Sequence, residues 1–214
     1  MFANRQDAGH KLAGALRAYR GRHPLVMGLP RGGVVVAAEV ARALGGELDV
    51  LFVKKLGAPD NPELAIGAIG EDGKPCLNDD IVRTFGVGHE YVSRLAARRL
   101  EEIRKQALLY RAVIKKASPA GRICILVDDG LATGASMIAA IQAVHAGQPA
   151  SIAVAVPVGP DDTLMRIREM PEVTDLICLE SPEWFSGVSQ VYGDFEQVED
   201  KAVVELLKEF AALT

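Results

Sequence analysis

The feature that most constrains this 214-residue chain is an apolar strand that runs directly into two carboxylates and a small-residue loop. Residues 123–127 read Ile-Cys-Ile-Leu-Val, which is typical of a strand buried on both faces. Asp128 and Asp129 follow, and the segment 130–136 then leads into an apolar-periodic run at 137–144 that predicts a helix. Loop N–H groups and a helix N-terminus can bind a phosphate, while the carboxylates suit sugar hydroxyls or a hydrated Mg²⁺.

The loop after the acidic pair matches neither of two common phosphate-binding motifs. It lacks the Gly-Lys-Ser/Thr of a Walker A loop, and its glycines do not have the GxGxxG spacing. Its order of apolar strand, two acids, two small or apolar residues and Ala-Thr-Gly-x-Ser resembles the phosphoribosyl-diphosphate (PRPP) signature of type I phosphoribosyltransferases. The alternative is an ordinary α/β protein with an acidic strand end and a capped helix.

The resemblance implies both a fold and a reaction. The fold is a Rossmann-like parallel sheet flanked by helices, with a small hood. The reaction is the Mg²⁺-dependent transfer of ribose 5-phosphate from PRPP to a nitrogenous base, with release of pyrophosphate. Asp128 and Asp129 would hold the ribose hydroxyls, would contact the metal mostly through ligand and water, and with Arg31 are the catalytic candidates. The candidates for binding the 5-phosphate are Ala132, Thr133, Gly134, Ala135 and Ser136.

A second candidate loop joins a predicted strand at 25–29 to a predicted helix at 34–44. It reads Pro30-Arg31-Gly32-Gly33, and two glycines at such a junction let the backbone approach an anion while Arg31 supplies a charged fork. A simple tight turn is the alternative interpretation. The resemblance makes these four residues the pyrophosphate loop and implies a cis peptide bond between Pro30 and Arg31.

Two lysines and an inserted segment follow. Lys54 and Lys55 end a predicted strand that starts at residue 48, and ligands of α/β sheets gather at strand carboxyl ends, so both are candidates for pyrophosphate binding. A solvated strand end is the alternative. The segment of approximately 60–118 is predicted to be an insertion. It would begin within a turn-rich loop (57–63) and contain a hairpin (65–69 with 74–77) and a long helix (89–116), and the resemblance places a flexible closing loop in this region.

An aromatic segment at approximately 180–196 resembles the hood of purine phosphoribosyltransferases. Trp184 and Phe185 are the candidates for stacking on the base, and core packing is the alternative. Hypoxanthine-type members have an Asp at the position of Ala132 and a Lys after the next strand, where this chain has Val-Gly-Pro at 158–160. These two departures argue against 6-oxopurine specificity. A last amphipathic helix is predicted at 198–213.

Composition limits the partners. We expect no nucleic-acid partner because the net charge is −4 and the isoelectric point is about 5.6. The basic face of the long helix is interpreted as a solvated or dimer surface, and we expect a homodimer. Three cysteines without CxxC spacing favour reduced thiols and a cytoplasmic location. No apolar leader or membrane-length run is present, so we expect no membrane partner.

Two alternative functions stay open from the sequence. One is a PRPP- or nucleotide-sensing regulator that keeps the fold without turnover. The other is a hydrolase or phosphorylase of a phosphoribosyl compound, with water or phosphate as the nucleophile. The chain as a whole, 1–214, is predicted to be a single phosphoribosyltransferase domain.

Overall fold

The computed structural model describes residues 1–62 and 64–212. Glu63 of the turn-rich loop and Leu213 of the last predicted helix lie outside the described residues. The strands are β1 (Leu25–Gly28), β2 (Glu47–Val50), β3 (Val53–Gly57), β4 (Ala65–Gly70), β5 (Pro75–Leu77), β6 (Ile123–Val127), β7 (Ser151–Val158) and β8 (Asp175–Glu180). The helices are α1 (Arg5–Ala15), α2 (Gly32–Leu44), α3 (Asp79–Thr84), α4 (His89–Arg111), α5 (Ala135–His145), α6 (Asp161–Arg168) and α7 (Asp200–Ala212).

A five-stranded parallel sheet forms the centre, in the order β2-β1-β6-β7-β8. The predicted class, an α/β fold with a parallel sheet flanked by helices, is confirmed. The chain moves outward from β1 to β2 on one side and from β6 to β8 on the other, so the direction of strand addition reverses between β1 and β6. Ligands of open α/β sheets bind at such a switch point, beyond the carboxyl ends of the strands.

The strands are apolar on both sides because helices cover both faces of the sheet. Val26 and Ile125 pack with α1, α2 and α7 on one face. Met27 and Leu126 pack with α5 and α6 on the other. Fully buried parallel strands need this continuous apolar pattern, which explains why the sequence identified β1 and β6 well. Within the described part of the chain, no helix is both long and apolar enough to cross a membrane.

A second sheet lies outside the central one and corrects one sequence prediction. The predicted strand from residue 48 to the lysines is two strands: β2 ends at Val50, and β3 begins at Val53 in an antiparallel sheet of order β3-β4-β5. Lys54 and Lys55 therefore lie within β3, opposite Ile69 and Ala68, and not at the end of a central strand. The apolar run hid the break because Leu51 and Phe52, between the strands, are themselves buried.

The long helix is also shorter than predicted. α4 ends at Arg111 instead of residue 116, and the next residues turn back so that the Val113 and Ile114 N–H groups donate to the Tyr110 carbonyl. The hairpin of β4 and β5 is present, with its turn closed by the Gly73 N–H donating to the Gly70 carbonyl. The division into a core, an insertion and a hood stays an interpretation.

A buried ion-pair cluster joins the second sheet and α4 to the central sheet. The Arg111 guanidinium donates to Asp49 Oδ1 of β2 at 2.5 Å and to both carboxylate oxygens of Glu71 in the hairpin turn. Asp49 is fully buried and also accepts from the Ala117 N–H at 2.9 Å. Burial raises the pKa of Asp49, against the lowering effect of Arg111. Separating the two sheets would leave the buried Asp49 carboxylate without its cation.

We expect Arg111→Ala to lower the free energy of unfolding by about 3–5 kcal/mol, since it leaves the buried Asp49 carboxylate without its cation. Chemical denaturation monitored by circular dichroism measures this change. Arg104→Ala is the matched control, because Arg104 is an exposed arginine of the same helix. A loss for Arg111→Ala no larger than for Arg104→Ala would contradict an anchoring role for the cluster.

Candidate active site

Two loops meet at the switch point, one after β1 and one after β6. A Cβ atom added at Gly33 would lie 2.8 Å from the Asp128 Cα, and one added at Gly32 would overlap an oxygen of the Asp129 carboxylate. Because Gly32 and Gly33 have no side chains, the predicted pyrophosphate loop can pack directly against the acidic pair. The Pro30–Arg31 peptide bond is cis, as the resemblance implied. The two predicted motifs, about a hundred residues apart in the chain, form one site.

The two acids have different surroundings. Asp128 Oδ1 accepts the Asp129 N–H at 2.9 Å, and burial together with the neighbouring Asp129 charge raises the pKa of Asp128 well above its ordinary value. Asp129 Oδ2 accepts from Arg5 Nε at 2.7 Å. The pair thus combines a carboxyl that burial pushes toward its neutral form with a carboxylate beside a guanidinium.

The predicted phosphate loop has the geometry of an anion site at a helix N-terminus. Gly134 has a left-handed conformation, with φ of 72°, and α5 begins directly after it at Ala135. This start is two residues earlier than the sequence indicated. Thr133 and Ser136 are exposed, so their hydroxyl groups are available at the end of the helix where N–H groups point outward.

Helix α6 supports this loop from behind. Thr163 Oγ1 donates to the Ala132 carbonyl at 3.0 Å, and Arg166 donates to the Thr133 carbonyl at 2.9 Å. A Cβ at Gly134 would lie 2.6 Å from the Thr163 methyl group. Neither supporting residue could be predicted from the sequence, because a Thr and an Arg on an amphipathic helix carry no motif.

A cavity of about 420 Å³ separates the phosphate loop from the second sheet and α4. Thr133, Ala135 and Ser136 line one side, and the opposite side carries Lys54, Lys55, Arg99 and Gln106. The structure thus brings both predicted lysines to the site from β3. It adds Arg99, a residue that the sequence analysis left on a solvated helix face. Arg99 Nη1 donates to Glu102 at 2.9 Å, while its Nε is buried with no partner among the described residues.

A second cavity, of about 390 Å³, lies on the acidic side of the same loops. Asp128, Asp129, Arg31 and Gly32 line it. Arg5 of α1 and a segment before α7 complete it, with Phe195, Gln197 and Val198. Arg5 and Phe195 are further residues that the sequence did not assign to the site. Their only advance signal was the position of Phe195 in the aromatic segment.

The two predicted base-stacking residues have unequal surroundings. Trp184 is 85% exposed and lines neither cavity among the residues described there. Phe185 is half-buried in a small cluster with Phe2, Val158 and Tyr192, as the core-packing alternative required. Trp184 therefore has a free ring face, whereas Phe185 is engaged in packing.

The acidic pair fits a magnesium ion that is bound together with a ligand. The described residues contain no group of three or more His, Cys, Asp and Glu side chains able to hold a metal alone. Mg²⁺ commonly uses one or two carboxylates and completes its shell with water and substrate phosphates. Asp128 and Asp129 supply the two carboxylates beside a cavity, so a metal here would depend on oxygens of the ligand.

Residues 3–196 match the model of the phosphoribosyl transferase domain, and the chain belongs to this family. Proteins of two Mycobacterium tuberculosis strains, each named "Putative phosphoribosyl transferase", are 43% identical over 207 residues, or 97% of this chain. That match covers 46% of each relative, so the chain spans under half their length. The family resemblance drawn from the PRPP-like signature is thereby confirmed.

Solved structures agree with the fold. The crystal structure of TT1426 from Thermus thermophilus matches with a TM-score of 0.92 and 45% sequence identity, covering 98% of both chains. A hypothetical protein from Neisseria gonorrhoeae with bound ppGpp matches at a TM-score of 0.51 with 11% identity, covering 96% of this chain and 92% of that one. The second likeness shows a shared fold alone.

We expect Arg99→Gln to weaken binding of inorganic pyrophosphate about tenfold or more, since a charge-assisted contact is worth about 1.5–3 kcal/mol. Isothermal titration calorimetry gives the affinity. Arg98→Gln is the matched control, because Arg98 neighbours Arg99 and pairs with the same Glu102 but is 77% exposed. Equal affinities for the two variants would show that Arg99 does not face the anion.

Proposed function

We propose that this protein is a Mg²⁺-dependent phosphoribosyltransferase, which moves ribose 5-phosphate from PRPP to a nitrogenous base and releases pyrophosphate. The observation that carries the proposal is the meeting of Gly32 and Gly33 with Asp128 and Asp129 beside the phosphate loop. Family membership supports it.

The 5-phosphate is assigned to the N-terminus of α5. Thr133, Ala135 and Ser136 line the 420 Å³ cavity, and the proposed donors are the Thr133 and Ser136 hydroxyl groups and the first N–H groups of α5. The Ala135 N–H makes only a long bond of 3.4 Å to Thr133 Oγ1. A helix N-terminus stabilises an anion through these donors and the helix dipole. Thr163 and Arg166 hold the loop carbonyls from behind, so the loop is fixed before a ligand arrives.

The pyrophosphate group is assigned to the cis-peptide loop and the cations around it. Arg31, Gly32 and Gly33 are the proposed contacts from the loop, and Lys54 and Lys55 those from β3. The lysines face the phosphate loop across the cavity. The metal would be held by Asp128 and Asp129 through ligand and water, and it would neutralise charge on the leaving pyrophosphate.

The ribose ring is assigned to the acidic pair. Asp128 and Asp129 line the 390 Å³ cavity and can accept hydrogen bonds from ribose hydroxyls. Bond breaking at the ribose carbon builds positive charge on the sugar, so positioning and nearby negative charge lower the barrier. The Asp129 carboxylate beside Arg5 is the proposed source of that negative charge.

The direct test is to incubate the protein with PRPP, Mg²⁺ and a panel of purine and pyrimidine bases and to follow pyrophosphate. We expect pyrophosphate to be released only when one particular base is present. The double variant Asp128→Asn with Asp129→Asn should fold and should release no pyrophosphate. Release without any base would indicate the hydrolase, and PRPP binding without release would indicate the sensor. Full activity in the double variant would mean that the acids are structural.

Trp184 is the proposed stacking face for the base, because its ring is largely exposed within the hood-like segment. Stacking on an aromatic ring is worth about 1–3 kcal/mol per base, so Trp184→Ala should weaken base binding about fivefold or more and leave PRPP affinity unchanged. Trp184 is the only tryptophan, and its fluorescence should be quenched by the base. If no base alters the signal, the stacking face lies elsewhere, and Phe185→Leu tests the neighbouring ring.

A further inference from the structure

Arg5 connects the first helix to the acidic strand end, the cis-peptide loop and the segment around Phe195. Arg5 is the first residue of α1, and its side chain is only 11% exposed. Its Nε donates to Asp129 Oδ2 at 2.7 Å, and its Nη1 donates to the Glu196 carbonyl at 2.9 Å. The guanidinium carbon lies 3.9 Å from the centre of the Phe195 ring. Three separate contacts therefore fix the guanidinium plane.

Arg5 also touches the cis-peptide loop. A Cβ at Gly32 would lie 2.7 Å from Arg5 Nε and would overlap the same Asp129 oxygen that Arg5 holds. The ion pair thus occupies the space that a side chain at Gly32 would need. Asp129, the cis-peptide loop and the segment around Phe195 thus all lie against one cation.

Helix stability does not account for this arginine. A cation in the first turn of a helix lies at the positive end of the helix dipole, where an acidic residue is preferred. The partner of Arg5 is instead 124 residues away, at the end of β6. A long side chain that loses its rotational freedom at an unfavourable helix position needs another source of stabilisation, and here that source is Asp129.

The site gives Asp129 a second fixed contact. Tyr192 is buried and its hydroxyl donates to the Asp129 backbone carbonyl at 2.7 Å, while its ring packs on Phe195 at 4.8 Å between centroids. The backbone of Asp129 is thus held by Tyr192 and its carboxylate by Arg5. An ionised carboxylate offers about four acceptor positions, so the single bond from Arg5 leaves capacity for a sugar hydroxyl.

We propose that Arg5 is a positioning residue for ribose recognition: it holds the Asp129 carboxylate between Asp128 and Gly32 in the orientation that accepts a ribose hydroxyl. This role rests on the proposed phosphoribosyltransferase function. Arg5 supplies the opposite charge beside the Asp129 carboxylate and so fixes its orientation next to Asp128. The lysines proposed for pyrophosphate line the other cavity, to which Arg5 does not contribute among the described residues.

Calorimetry with two ligands tests the proposal: ribose 5-phosphate, and pyrophosphate without Mg²⁺, so that the proposed metal contact of Asp129 does not enter the comparison. We expect Arg5→Gln to weaken ribose 5-phosphate about tenfold or more, as for loss of a charge-assisted contact, and to leave pyrophosphate affinity within about twofold. Arg5→Lys keeps the charge without the planar fork and should give an intermediate loss. Lys11→Gln removes a half-exposed ion pair of the same helix and should change neither affinity.

A double-variant cycle separates positioning from a merely structural ion pair. Asp129→Asn should weaken ribose 5-phosphate, and adding Arg5→Gln to it should cause little further loss, because both changes remove one interaction. Additive losses, or equal weakening of ribose 5-phosphate and pyrophosphate, would overturn the role of Arg5. If Arg5→Gln does not fold, the same comparisons with Arg5→Lys decide. A wild-type protein that binds neither PRPP nor ribose 5-phosphate would overturn the proposed function itself.

Discussion

The structure depends on a close backbone contact at the switch point of the sheet, where Gly32 and Gly33 meet Asp128 and Asp129. Parallel strands β1 and β6 are neighbours, so their carboxyl ends emerge side by side and both following loops compete for the same space. Only residues without side chains on the β1 loop let the acidic pair come this close. One geometric requirement thus sets the position of the acids, the start of α2 and the lining of the 390 Å³ cavity.

The sequence could predict the two loops that meet at this contact, but not the residues that support them. The acidic pair with its phosphate loop and the Pro-Arg-Gly-Gly loop each carry their chemistry within a few consecutive residues, so composition and spacing reveal them. Arg5, Tyr192 and Arg166 act through partners 124, 63 and 33 residues away. A single arginine or tyrosine on an amphipathic element is ordinary in a sequence, and only the fold supplies its partner.

The break between β2 and β3 shows a second limit of sequence patterns. Leu51 and Phe52 are buried like the strand residues before them, so the apolar run continues where the chain leaves the central sheet. An apolar pattern indicates that residues are buried, but it does not indicate against which sheet they pack. Lys54 and Lys55 therefore line the cavity of the phosphate loop from a separate antiparallel sheet. The Arg111 cluster joins this sheet to β2.

The net charge of the chain does not indicate whether this site binds an anion. The chain is acidic overall, yet five cations from β3, α4, α1 and the cis-peptide loop line its two cavities: Lys54, Lys55, Arg99, Arg5 and Arg31. Charges farther apart than about 8–10 Å are largely screened at physiological ionic strength, so the local arrangement decides whether an anion binds. The two sides of the site then differ in kind. Among the charged residues described there, only cations join the phosphate loop in the lining of the 420 Å³ cavity, whereas the 390 Å³ cavity has both arginines and acids. This distribution of charge suits a polyphosphate joined to a neutral sugar.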